Sequence, residues 1–314
     1  MMNRLIIIDG QSTVGKSSVA NQVYKQMVGR RPVRWFHEEC QDHPIRTEEF
    51  SFGDINTPEG MEKNRLGMLD LWKTLVDQVE DHEIVILEGC FLHSIDRYLL
   101  ESSWTMDQIK AYCLEVEALL APLNPLIVHL YREDIRSSFE KAYEVRGYWW
   151  RDLIFRVTPP LCLKEGEDTA TQIYNAVAHE QACMGQVHQV LKSDKLSIET
   201  SKEDWTAYVG QVLSLFDLTY KQKTQDLPAT DYSGTYRKEG SEDLWHIKYL
   251  PDQNQYASQL FWPCMPMDYI GDQQFEMVSF PATLTFSHQD DQVSFVVEGN
   301  YDWSHNNKRF IRED

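Results

Sequence analysis

The stretch 4–9, RLIIID, runs directly into Gly10-Gln11-Ser12-Thr13-Val14-Gly15-Lys16-Ser17. No other feature of the sequence constrains the fold as tightly. The short apolar run fits a strand buried on both faces. The G-x-x-x-x-G-K-S pattern after it lets the backbone curl until successive N–H groups face one anion. Beyond the loop, Val19, Ala20, Val23 and Met27 recur at helical spacing. A helix beginning there adds the partial positive charge of its N-terminus at the same point. In such a loop a lysine in the place of Lys16 reaches the β- and γ-phosphates of a nucleoside triphosphate, and a hydroxyl in the place of Ser17 ligates Mg²⁺. ATP and Mg²⁺ are therefore the expected cofactors.

The segment IIIDGQSTVGKSSVA resembles the opening of P-loop kinases of the nucleoside-monophosphate-kinase type. Within that group, GQSTVGKS is closer to small-molecule phosphotransferases such as the chloramphenicol phosphotransferases than to thymidylate kinases. The likeness covers about the first 220 residues and is specific at the loop. It implies a parallel α/β sheet with flanking helices and transfer of a phosphoryl group to a small acceptor.

The rest of the chain reads consistently with that sheet. VRWFHEE (33–39) predicts a second strand ending in His37, Glu38 and Glu39, and EIVILEG (83–89) a third ending in Glu88. PLIVHLY (125–131) and LSIET (196–200) predict a fourth and a fifth. Helical periodicity marks 57–81, with Met68, Leu69, Leu71, Trp72, Leu75, Val76 and Val79 as its apolar stripe. It also marks 91–103, 106–120, 168–192 and a closing helix from Trp205, with Ser201 as the expected N-cap. The segment 221–230 is polar, contains Pro228 and reads as a linker. From Asp231 to the end, short aromatic and β-branched runs separated by turn residues predict a small antiparallel sheet or barrel. The domains are thus expected at 1–220 and 231–314. The YSGTY start and the later hairpin resemble the β module appended to some serine-hydrolase-like enzymes, a likeness that implies no chemistry.

In an open α/β sheet, ligands bind beyond the carboxyl ends of the strands. Glu38, Glu39 and Glu88 are therefore the candidates for chemistry beyond the loop. A hydroxyl acceptor profits from a carboxylate that takes its proton. Resemblance to chloramphenicol phosphotransferases points to Glu38 or Glu39 as that base, and resemblance to deoxynucleoside kinases points to Glu88. The favoured assignment is Glu38 or Glu39 as base and Glu88 as outer metal ligand. Strand alternation would turn Glu38 and Glu39 to opposite faces. The region with Arg132, Arg136 and Arg146 resembles the lid that brings arginines onto the transferring phosphate, a role suited to the guanidinium fork. Arg136 with Glu140 also fits a solvated i,i+4 pair. His37 and His43 flank the site as anion or metal holders or as structural histidines. Trp149 and Trp150 are candidates for ring stacking or for packing. Asp96-Arg97-Tyr98 is similar to a triplet of thymidylate kinases but stands several residues too far from the strand.

Lys plus Arg is 30 and Asp plus Glu is 49, a formal charge of −19. That argues against a broad nucleic-acid face and against adsorption to anionic membranes. The expected partners are ATP and a small hydroxylated acceptor. Cys40, Cys90, Cys113, Cys162, Cys183 and Cys264 show no C-x-x-C spacing. With no export signal read, free thiols in a reducing cytoplasm are expected. Two alternatives remain open: a nucleoside-monophosphate acceptor, and a nucleotide-dependent switch. The switch motif D-x-x-G occurs only at Asp231–Gly234 and Asp268–Gly271, and N-K-x-D is absent.

Overall fold

A computed structural model describes residues 2–45, 52–95, 99–157, 166, 168–222, 227–258, 264–289, 292–301 and 304–313. The chain divides into two units. One is Met1–Glu38 with His43–Tyr220; the other is Glu39–Asp42 with Lys221–Asp314. Residues 223–226 of the expected linker and the triplet 96–98 lie outside the described residues, as does Cys162.

The first unit is a five-stranded parallel sheet with flanking helices. Its strands are β1 (Leu5–Gly10), β2 (Val33–Phe36), β3 (Ile84–Glu88), β4 (Pro125–Tyr131) and β5 (Asp194–Glu199), in the order β2-β3-β1-β4-β5. All neighbours pair in parallel. Every residue of β1 and β3 is buried, as expected for strands covered on both faces. The order places β1 at the centre, where the winding reverses, so the loop after it lies at the topological switch point.

The helices are α1 (Lys16–Met27), α2 (Pro58–Gln78), α3 (Met106–Leu120), α4 (Ile135–Arg146), α5 (Tyr148–Val157), α6 (Thr169–Val190) and α7 (Trp205–Ser214). Leu5, Ile7, Val85, Leu87 and Ile127 share a core with Met68 and Trp72 of α2, Ile109 and Tyr112 of α3, and Met184 of α6. Helix α1 packs against β1, β2, β3 and α7. The starts of the helices follow their capping chemistry. Thr57 accepts the Gly60 N–H with Pro58 in the first turn, and Thr105 with Gln108 forms a capping box.

Three expectations need correction. Strand β2 ends at Phe36, because its ladder partner β3 stops at Glu88 and Gly89 turns the backbone away at φ 63°. Glu38 and Glu39 therefore lie in a turn, and the alternation argument does not apply to them. The N-cap of α7 is Asp204, which accepts the Ala207 N–H at 3.0 Å, whereas the Ser201 hydroxyl bonds to Glu199. In the stretch 91–103, residues 91–93 and 101–103 are bends and a turn rather than helix.

The second unit is a closed antiparallel barrel. Its strands are β6 (Gly234–Lys238), β7 (Leu244–Leu250), β8 (Gln255–Ser258), β9 (Met265–Gly271), β10 (Gln274–Met277), β11 (Ala282–Gln289), β12 (Gln292–Gly299) and β13 (Lys308–Arg312). Each pairs with the next in sequence, and β13 pairs back onto β6. Inward residues alternate along the strands, as in Leu284 and Phe286 of β11 and Phe295 and Val297 of β12. The Phe310 ring stacks on Trp245 at 4.0 Å and on Phe295 at 4.9 Å, so aromatic side chains fill the interior. The segment 39–42 belongs to this unit: Cys40 forms a bridge with Tyr301, and the Gln41 N–H donates to the Asn300 carbonyl.

Candidate active site

The loop 10–17 joins the end of β1 to the start of α1. Gly15 holds the N-cap position at φ 95°, and no side chain caps the helix. With no side-chain cap there, the N-terminus of α1 has the partial positive charge that suits an anion. A Cβ at Gly15 would lie 2.3 Å from the Trp205 ring, so the close approach of α7 also requires glycine there.

Side chains from three other elements hold the loop. The Thr200 hydroxyl, fully buried at the end of β5, donates to the Val14 carbonyl at 2.9 Å. Thr13, a non-glycine residue at φ 74°, shares a 2.5 Å hydroxyl contact with Ser138 of α4. Gln11 donates to Glu180 of α6, while its own amide oxygen accepts the Ser12 N–H at 2.6 Å.

Lys16 is buried, with its ammonium 3.6 Å from Glu38 Oε2 and donating to the Gln11 carbonyl at 3.5 Å. Glu38 Oε2 is itself buried, although the whole side chain keeps 34 % exposure. Burial pushes the Glu38 carboxyl up. The Lys16 ammonium together with His93, His37 and Arg146 outweighs that, and the carboxyl falls to about 2. Gly89 makes this placement possible, because a Cβ there would meet Glu38 Oε2 at 2.3 Å.

Glu88 is fully buried. It accepts a hydrogen bond from the Ser17 hydroxyl, and His37 Nε2 lies 3.8 Å from Oε1. Burial, and next the Glu38 charge, hold its carboxyl well above the usual range, with the Ser17 bond offsetting only part. Its other oxygen, Oε2, is buried and makes no hydrogen bond among the described residues. Ser17 and Glu88 offer the one or two oxygens that Mg²⁺ takes from protein, and the charge of the ion would offset the burial that otherwise favours the protonated Glu88 carboxyl. Among the described residues no group of three His, Cys, Asp or Glu side chains is placed to hold a metal by itself.

The arginines separate. Arg146, over the Trp150 ring at 4.6 Å, is within electrostatic reach of Glu38; burial pushes its guanidinium down to about 10, with Glu38 pulling the other way. Arg132 is buried and paired with Glu203 at 3.2 Å. Arg136 is exposed, paired with Glu140 at 2.8 Å and lying over Tyr174, the solvated pair weighed above. Glu38 is the carboxylate found against Lys16, whereas Glu39 is grouped with the second unit. His43 accepts the Ile45 N–H at 3.1 Å, a structural contact. Trp150 is buried against Phe139 and Tyr143, and Trp149 is exposed.

Sequence reasoning missed Asp9 and the turn after β3. Asp9 is a fully buried carboxylate that accepts the N–H groups of Gly10, Phe91, Leu92 and His93 at 2.7–2.9 Å. Its signal was an acidic residue closing an apolar strand, in a place where burial without a partner is costly.

No family model and no curated protein matches the chain. Similar solved structures include YorR from Bacillus subtilis in complex with phosphorylated GDP, at 16% identity, with 68% of this chain and 95% of that one covered and a TM-score of 0.38. Thymidylate kinase from Candida albicans is similar at 14% identity, with 69% and 92% covered and a TM-score of 0.39. Deoxyadenosine kinase from M. mycoides with bound dATP is similar at 11% identity, with 68% and 100% covered and a TM-score of 0.38. Among the described residues no helix is long and apolar enough to cross a membrane.

Proposed function

We propose that the chain is a Mg-ATP-dependent phosphotransferase acting on a small hydroxylated molecule. The observation that carries this is the convergence, at the switch point of the sheet, of Lys16 with Glu38 at 3.6 Å and of Ser17 with the buried Glu88. Phosphoryl transfer asks the protein mainly for positioning and charge neutralisation. The uncapped start of α1 and Lys16 bind the phosphates. Ser17 and Glu88 would hold Mg²⁺, which would neutralise charge on the phosphate oxygens. Glu38 receives the proton of the acceptor hydroxyl once the phosphates draw Lys16 away from it. Arg146 is the lid arginine that faces this space; Arg132 and Arg136 have structural partners instead.

The test is calorimetry with Mg-ATP followed by a coupled ATP-consumption assay against hydroxylated antibiotics, metabolites and nucleoside monophosphates. Binding of Mg-ATP and consumption with at least one acceptor are expected, and Lys16→Ala should abolish both. Turnover retained in that variant would defeat the reading.

A further inference from the structure

We propose that Asp9 is a positioning residue, a buried anion that ties the exit turn of β3 to the start of the phosphate loop and thereby sets Gly89 against Glu38. Its two oxygens divide four donors. Oδ1 accepts from Gly10 at 2.8 Å and from His93 at 2.9 Å, and Oδ2 from Phe91 at 2.8 Å and Leu92 at 2.7 Å. Four donors and no acceptor is the demand that only an ionised carboxylate meets among small side chains. An asparagine of the same shape would point its own NH₂ at two of those N–H groups.

The position is costly for any other purpose. A buried negative charge one residue before a loop that receives phosphates repels them. Asp9 therefore belongs there for the turn it organises. That turn carries Gly89, whose missing side chain makes room for Glu38 Oε2, and His93, whose ring acts electrostatically on Glu38. Phe91 and Leu92 are anchored in the core between them. The turn N–H groups point inward to Asp9 rather than to water, so the geometry around Glu38 is fixed from beneath.

The inference rests on the phosphotransfer reading for its consequence, and its test separates the two. Amide hydrogen exchange on the full wild-type chain should show Phe91, Leu92 and His93 protected to the level of the β1 amides. Exchange at the rate of open turns would overturn the proposal without any variant. In Asp9→Asn, those three amides should lose at least about tenfold protection while β4 keeps its own. Mg-ATP should bind within about threefold of wild type, and transfer of its γ-phosphate to water should fall about 30-fold or more in kcat with little change in KM. Wild-type turnover in a folded Asp9→Asn chain would overturn it. If wild type neither binds nor turns over Mg-ATP, the functional reading fails, and the exchange result still decides whether Asp9 clamps the turn.

Discussion

Lys16 and Glu38 face each other with opposite charges, and a triphosphate would compete for the same ammonium. That competition separates two roles that a simple loss of activity would confuse. Glu38→Gln should lower turnover by roughly 10²–10⁴, the range of a lost general base. It should leave Mg-ATP binding as tight as in wild type or tighter by a few fold, because Lys16 loses a competing partner at 3.6 Å. Calorimetry beside phosphate-release kinetics checks both; weakened nucleotide binding would contradict the assignment. Gly89 belongs to the same balance. It is open only to a residue without Cβ, and the atom that a methyl group would displace is the Glu38 oxygen.

At the level of elements, the phosphate loop depends on side chains that arrive from far away in sequence. Thr200 is the clearest, a buried hydroxyl at the end of β5 that donates to Val14 and, at 3.3 Å, to Tyr131. Thr200→Val keeps the shape and removes the donor, so it should cost about 1–2 kcal/mol of stability. It should also weaken Mg-ATP binding severalfold, as read by denaturant unfolding and titration. Such links explain what the sequence could and could not disclose. Strand β1, the loop, α3 at Met106–Leu120 and β4 at Pro125–Tyr131 were legible because hydrophobic period and glycine chemistry are local. The shortness of β2 was not, because it depends on where its ladder partner turns. The choice between Glu38 and Glu39 depended on the same turn. The role of Asp9 was not legible, since its four partners include three residues more than 80 positions away.

Across the whole molecule, buried histidines contribute to acid stability: burial lowers the pKa of His129, His188 and His305 alike. His129 of β4 packs beside His188 at 5.3 Å, and burial, with the His188 charge adding to it, pushes its imidazole down to about 4. An unfolded histidine titrates near 6.5, so between those values the unfolded chain binds the extra proton. The contribution of His129 is therefore complete above about pH 6.5 and declines as pH falls toward 4, by up to roughly 3 kcal/mol. His129→Leu should flatten the slope of unfolding free energy against pH across that window; an unchanged slope would sink the assignment. The barrel has a consequence of another kind. Its first strand, β6, finds its second neighbour only in β13, about 70 residues later. At the usual pace of the ribosome, about 5–20 residues per second, one flank of the nascent sheet waits roughly 4–14 s for its mate. Throughout that interval it offers bare backbone groups to any passing chain, until β13 arrives and closes the barrel.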